Sequence, residues 1–227
     1  MKVATLFSGG KDSTFATYWA ITQGWDVACL VSLKSANKHS YMFHTPNIDL
    51  ASLQAEAMRI PLILHETLGG KETELDDLKE ALVLAKNQFG ITGVIVGAIA
   101  SNYQEERVNR ICHNLGLKTF NPLWHKNQLQ LMRDMISSGF QIILTHVSAE
   151  GLGSRHLGRS LDGPFLDELA RIAGEKGLNP AGEGGEFESL VINGPLFLRP
   201  IHITGSEIIR EDTHAHLLRI TTAELAS

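Results

Sequence analysis

Along the first half of the chain, short apolar runs alternate with longer amphipathic ones. Val3-Ala4-Thr5-Leu6-Phe7, Asp26 to Leu33, Leu62 to His65 and Val94 to Val96 are nearly unbroken apolar stretches. Such runs predict strands buried on both faces. The segments between them carry apolar residues at helical spacing. Thr73 to Phe89 is the clearest, with Leu75, Leu78, Leu82, Ala85 and Phe89 on one stripe and Gly90 at its end. Ser13 to Gln23, Ile48 to Met58 and Ser101 to Leu115 predict further helices, the first with an apolar face through Phe15 and Trp19. Gly24 and Gly116 fit C-terminal caps. Lys118 to Phe120 is a short strand before Asn121-Pro122. Strand and helix alternate at the spacing of βαβ units, so the expected architecture is α/β, a parallel sheet with helices on both faces.

The second half is less regular. Gln128 to Ser138 and Pro164 to Lys176 predict helices, and Gln141 to Ser148 predicts a strand. From Phe187 the chain turns to short β-forming runs, broken at Gly194-Pro195, Pro200, Gly205 and Glu211-Asp212, with a closing strand His216 to Ile220. That pattern predicts a smaller α+β domain with a mostly antiparallel sheet. The expected domains are residues 1–122 and 123–227.

Composition narrows the class. A chain of 227 residues with 43% hydrophobic and 20% charged residues can bury a core without staples. Its two cysteines, Cys29 and Cys112, fall in apolar runs and form no Cys-x-x-Cys pair, which counts against a zinc ribbon or redox couple. Met1-Lys2 leads straight into the first strand, so no signal peptide is expected, and no apolar run reaches the roughly 20 residues that span a bilayer. These features predict a cytoplasmic protein without a membrane partner. A net charge of −5 counts against nucleic acid as a partner.

The stretch Ser8-Gly9-Gly10-Lys11-Asp12-Ser13 joins the first strand to the first helix. Gly9 and Gly10 let a ligand approach the backbone. First-turn amides and the helix dipole favour an anion, Lys11 adds a full charge, and Ser8 and Ser13 add hydroxyls. Asp12 is out of place in a simple anion trap and makes sense beside magnesium, as with a nucleoside triphosphate. A Walker loop is excluded because Thr5 and Asp12 stand where it needs Gly and Ser or Thr. The Gly-x-Gly-x-x-Gly fingerprint is also absent.

Two further stretches carry candidate chemistry. Gly97 to Arg107 begins where the strand Val94 to Val96 ends, on the same expected sheet edge. There Gly97 would let a ligand lie against the backbone, Ser101, Tyr103 and Gln104 offer hydrogen bonds, and Arg107 can reach phosphate or carboxylate. Asn179 to Ser189 sets Glu183, Glu186 and Glu188 among Gly182, Gly184 and Gly185. Such carboxylates suit magnesium, ammonium or general-base work, the alternative being an exposed acidic turn. His44 and Thr45, and Arg155, Arg159 and Asp162 further on, by themselves support only polar loops.

The hexapeptide Ser8 to Ser13 resembles the pyrophosphate-binding loop of the PP-loop ATP pyrophosphatases. Taken with His44-Thr45-Pro46, Gly97-Ala98-Ile99, Tyr103-Gln104, Arg107, Asn121-Pro122-Leu123-Trp124, Leu157-Gly158-Arg159 and Gly182-Glu183-Gly184-Gly185-Glu186-Phe187-Glu188, nearly the whole chain resembles the diphthine–ammonia ligase family. It is similar to the archaeal type, without the extra domains of the longer eukaryotic type. The resemblance implies a PP-loop domain, Rossmann-like and of HUP type, joined to a family-specific second domain. It implies ATP and magnesium as cofactors. The implied reaction amidates diphthine on translation elongation factor two with ammonium, through an acyl-adenylate, giving AMP and pyrophosphate. His156 departs from the family's frequent tryptophan, Ser189 from its threonine, and His125 and Asn127 from its glycine and aspartate.

In that scheme Ser8, Gly9, Gly10, Lys11 and Ser13 bind ATP phosphates, Asp12 lies near magnesium, and strand-edge backbone at Val31 and Ser32 recognises adenine. Gly97, Ser101, Tyr103, Gln104 and Arg107 position the adenylate and substrate, with His44, Thr45, Arg159 and Glu188 as further substrate contacts. Lys11, Glu183 and Glu186 are the expected catalytic residues, the glutamates holding ammonium and taking its proton. Two rival readings are another PP-loop enzyme adenylating tRNA or a small molecule, and a non-catalytic ATP-binding module. A homodimer is compatible with all three.

Overall fold

The apolar runs of the first half pair as five strands, β1 (Lys2–Leu6), β2 (Asp26–Ser35), β3 (Leu62–Thr67), β4 (Gly93–Ile95) and β5 (Lys118–Phe120). All are parallel, in the order β3-β2-β1-β4-β5. The computed structural model describes residues 1–36, 47–70 and 73–226, the side chains of residues 103 and 104 excepted. It divides into two compact units, Met1–Trp124 and His125–Ser227. In the first, strand order reverses between β1 and β4. Open α/β sheets bind ligands beyond the carboxyl ends of their strands at such a reversal.

Among the described residues, four α-helices link the strands: α1 (Lys11–Thr22), α2 (Ala51–Met58), α3 (Thr73–Phe89) and α4 (Asn102–Asn114). Right-handed crossovers put α1 and α2 on one face and α3 and α4 on the other. The stripe read from the sequence is the buried face of α3. Leu75, Leu78, Leu82 and Ala85 pack with Ala4, Val31, Leu33 and Val94 of the sheet and with Val108, Ile111 and Cys112 of α4. Cys29 and Cys112 are fully buried, and burial pushes both thiols up, Cys29 to about 12. They are small core residues rather than nucleophiles.

Helix α1 docks through a face other than Phe15 and Trp19, which are half-buried. Its buried residues are Lys11, Ser13, Thr14, Ala16, Thr17 and Ala20. Small side chains let the helix lie close to the sheet. The hydroxyls of Thr14 and Thr17 donate to the carbonyls of Gly10 and Ser13, each at 2.8 Å, so these buried polar groups are satisfied locally. Trp19 instead meets Trp25 edge-on at 5.4 Å, and Trp25 meets Phe120 at 4.7 Å.

The second unit contains α5 (Gln128–Ser137), β6 (Gln141–Val147), α6 (Gly163–Lys176), β7 (Phe187–Asn193), β8 (Ile201–Arg210) and β9 (His216–Leu225). Its four strands form an antiparallel sheet in the order β7-β6-β9-β8. Asn127 and Asp162 cap the two helices, accepting from Gln130 N and Phe165 N at 2.9 Å each. Gly205 does not break the chain as expected. It sits inside β8 at a register shift opposite Thr222, and β9 runs on to Leu225. A Cβ on Gly205 would meet Thr222 Oγ1 at 2.5 Å, so the glycine marks a close cross-strand approach rather than a turn. No helix among the described residues is long and apolar enough to cross a membrane.

Candidate functional site

The loop after β1 is held in shape before any ligand arrives. Gly9 has a φ of +79°, and a Cβ there would lie 2.2 Å from Gln54 Oε1. Gln54, fully buried on α2, donates through Nε2 to the Gly9 carbonyl at 2.9 Å. Sequence reasoning missed Gln54, and its only signal was an amide on the otherwise small, apolar face of residues 51–58. Ser13 Oγ accepts from Ser8 N at 3.2 Å and lies 3.1 Å from Ser8 Oγ. Gly10 then stands at the N-cap of α1 and offers no side-chain cap. An uncapped first turn with a glycine entry leaves backbone amides without side-chain partners, the arrangement an anion can use.

Lys11 is only 4% exposed and donates to Asp12 Oδ2 at 2.7 Å. The other carboxylate oxygen of Asp12, Oδ1, is buried and has no hydrogen-bond partner among the described residues. A buried oxygen of that kind is costly unless something binds it. The donor chemistry fits a magnesium ion, which takes oxygen ligands and keeps most of its water.

Gly97 is required by the packing itself. A Cβ there would come within 2.8 Å of Asp12 C and Ser13 N, so the chain after β4 lies directly against the first turn of α1. Val31 and Ser32 lie inside β2 rather than at its end. Strand β2 continues to Ser35, because Lys34 and Ser35, though polar, still pair with Glu66 and Thr67. The Val31 carbonyl accepts from Phe7 N at 2.8 Å, and the Ser32 hydroxyl donates to Phe7 O. Both residues support the loop from below. Ser101 immediately precedes α4, its carbonyl accepting from Glu105 N at 3.0 Å, and half-buried Arg107 follows one turn on. Tyr103 and Gln104 fall in the first turn of α4, with side chains outside the described set. His44 and Thr45 lie outside the described residues.

In the second unit the acidic loop is organised by two side chains. Asn179 Oδ1 accepts from Ala181 N at 2.9 Å and from Glu183 N at 3.4 Å. Glu186 accepts from Asn179 N through Oε1 and from Gly184 N through Oε2, both at 2.8 Å. A Cβ on Gly184 would meet Glu186 Oε1 at 2.7 Å, so glycine there makes room for this tie. Both oxygens of Glu186 are thus occupied in folding the loop. Glu183 and Glu188 are half-buried on the same segment. Arg159 is held by Glu168 and lies 4.1 Å over the ring of Phe165.

Residues 1–119 match the model of the diphthamide synthase N-terminal domain, and residues 127–224 match that of the diphthamide synthase C-terminal domain. The chain belongs to the diphthamide synthase family. The diphthine–ammonia ligase of Bos taurus is 36% identical over 237 residues, covering 95% of this chain and 87% of its own length. That of Homo sapiens is 37% identical over 231 residues, covering 92% of this chain and 85% of its own. These two are matched over most of their length, whereas the diphthine–ammonia ligase of Schizosaccharomyces pombe, 36% identical over 230 residues, is matched over only 38% of its own, as expected of a longer eukaryotic type. A crystal structure of a predicted tRNA methyltransferase subunit from Methanocaldococcus jannaschii matches 86% of this chain and 98% of its own at 18% identity and a TM-score of 0.45.

Departures from the diphthamide synthase pattern have local explanations. His125 has a φ of +54°, a conformation that explains a preference for glycine at this position. Asn127 caps α5 as an aspartate would. His156 keeps an aromatic ring in the buried position, stacked on Phe165 at 5.7 Å, with Nδ1 accepting from Gly153 N at 2.9 Å. Arg155, Arg159 and Glu168 are the charged groups around it. Burial, partly offset by Glu168, holds His156 below its ordinary value of 6.5. The unfolded chain then binds the proton more readily, so stability should fall as pH drops below about 6.5. Glu168, lowered chiefly by Arg159, adds a separate loss on further acidification below its ordinary 4.5. His156→Phe should remove the upper of these two windows, measured as the pH dependence of the urea midpoint; an unchanged slope between pH 7 and 5 would refute it.

Proposed function

We propose that this protein amidates diphthine on translation elongation factor two with ammonium and ATP, in the cytoplasm. The observation that best supports this is the Lys11–Asp12 pair at an uncapped helix start, with one buried carboxylate oxygen left over. Gly9, Gly10, Lys11 and Ser13 would hold the ATP phosphates, with Ser8 bracing Ser13. Asp12 would hold magnesium, which when bound supplies positive charge against the β- and γ-phosphates.

A carboxylate is a poor electrophile toward ammonia. Attack by the diphthine carboxylate on the α-phosphorus forms an acyl–phosphate bond and breaks the bridge to the β-phosphate. First-turn amides and Lys11 stabilise charge on the departing pyrophosphate. Ammonia then attacks the acyl carbon and AMP leaves with one former carboxylate oxygen. Glu183 is assigned to take the proton from ammonium, and Glu186 to shape the loop that carries it. Gly97, Ser101, Tyr103, Gln104 and Arg107, with His44, Thr45 and Glu188, are assigned to the adenylate and acceptor.

The route of one oxygen atom tests the scheme. Acceptor carrying heavy oxygen in its carboxylate is incubated with ammonium and ATP in ordinary water. The expected result is label in AMP and unlabelled pyrophosphate. Label in inorganic phosphate, or ADP as the main nucleotide product, would show attack on the γ-phosphorus and sink the adenylation route.

A further inference from the structure

Glu74 is 1% exposed, yet neither of its carboxylate oxygens has a hydrogen-bond partner among the described residues. It is the second residue of α3, where an acid ordinarily accepts from its own helix's first amides. Here neither oxygen does so. The position is nonetheless fixed. Glu74 N donates to the Gly70 carbonyl at 2.9 Å, and the Thr73 hydroxyl donates to the same carbonyl at 3.0 Å. The strand end before it is pinned by Ala36 N to Thr67 O at 2.9 Å and Gly69 N to Thr67 Oγ1 at 3.1 Å. The fold therefore sustains the cost of a desolvated carboxylate that has no partner among the described residues.

Helix α3 leaves the carboxyl end of β3, so Glu74 stands on the same sheet edge as Ser8 to Ser13. Strand β3 is two places from β1, about 10 Å at ordinary strand spacing. That separation is comparable to the reach of a nucleoside triphosphate from its terminal phosphates to its ribose. With phosphates on the first turn of α1, a nucleoside laid along the edge toward β3 brings its sugar to this carboxylate. A vicinal diol offers two O–H donors to two orphan oxygens. Acidic side chains recognise ribose in this way on other open α/β sheets. Magnesium is a poorer match, because it needs near-octahedral space and retains water, which one fully buried carboxylate does not offer.

We propose that Glu74 recognises the nucleotide's ribose, accepting from its 2′ and 3′ hydroxyls. This rests on the nucleotide reading of Ser8 to Ser13 and is independent of the acceptor. The test measures binding of ATP, 2′-deoxy-ATP, 3′-deoxy-ATP and tripolyphosphate to the full chain by calorimetry, without acceptor. The wild type should prefer ATP over either deoxy form by about tenfold or more. Glu74→Gln should weaken ATP about tenfold, erase that preference and leave tripolyphosphate unchanged. Equal binding of ATP and both deoxy forms by the wild type would overturn the inference without touching the loop. So would a folded Glu74→Gln that keeps the preference, whether it gains stability or changes only in its KM for ammonium. Absence of binding by both ATP and tripolyphosphate would overturn the loop reading as well.

Discussion

Lys11→Ala should slow pyrophosphate release by a factor of about 10² to 10³, the usual loss when one preorganised charge-stabilising donor is removed. It should also destabilise the fold, which a surface lysine would not. Lys11 is buried and is the donor to Asp12 Oδ2, while Asp12 Oδ1 already lacks a partner among the described residues. Removing the ammonium leaves a carboxylate at 23% side-chain exposure with neither oxygen hydrogen-bonded among the described residues. The expected cost is about 1–3 kcal/mol, below that of a fully buried pair because water reaches Asp12. Lys11→Ala combined with Asp12→Asn should recover much of the stability, since no uncompensated charge remains, and none of the turnover. Urea denaturation and a pyrophosphate-release assay on the two single variants and the double variant separate these effects. Turnover within twofold of wild type in folded Lys11→Ala would remove the loop from the chemistry.

The parallel sheet was legible because its strands are buried on both faces and so read as unbroken apolar runs. The stripe of α3 was legible because its contacts are large and aliphatic. Helix α1 misled for the opposite reason. Close approach to the sheet selects small and hydroxylic side chains, so its large residues Phe15 and Trp19 mark the wrong face. The end of β2 was misplaced because polar residues can continue a ladder once neighbours are in register. Strand β8 was hidden because a cross-strand contact and a turn both call for glycine, and only the partner strand distinguishes them. At the candidate site the sequence showed which residue types gather, but not which are consumed by the fold. Glu186 and Arg159 looked available and are engaged. Gln54 and Glu74 looked like ordinary helix residues and are buried where the sheet edge needs polar groups. Burial and hydrogen-bond satisfaction are tertiary properties, and no spacing rule reports them.

Glu183→Gln should reduce amide formation by a factor of about 10² or more, the usual scale for a lost general base, while adenylation continues. Exchange of labelled pyrophosphate into ATP in the presence of acceptor should therefore stay near wild type. Glu186→Gln should behave differently, because its carboxylate is bonded to the amides of Asn179 and Gly184. A glutamine has one acceptor oxygen where two amides need one each, so its own NH2 faces a donor. The tie is lost on one side, with a cost of about 1–3 kcal/mol to the loop. Amide yield should fall with loop order, and residues 179–186 should become cleavable by a protease that leaves the wild type intact. The pH dependence of the amide that still forms distinguishes the two roles. Glu183→Gln should flatten the limb that reports the base, whereas Glu186→Gln should lower the whole profile without changing its shape. A protease-resistant Glu186→Gln with a flattened limb, alongside an active Glu183→Gln, would reverse the assignment and make Glu186 the base.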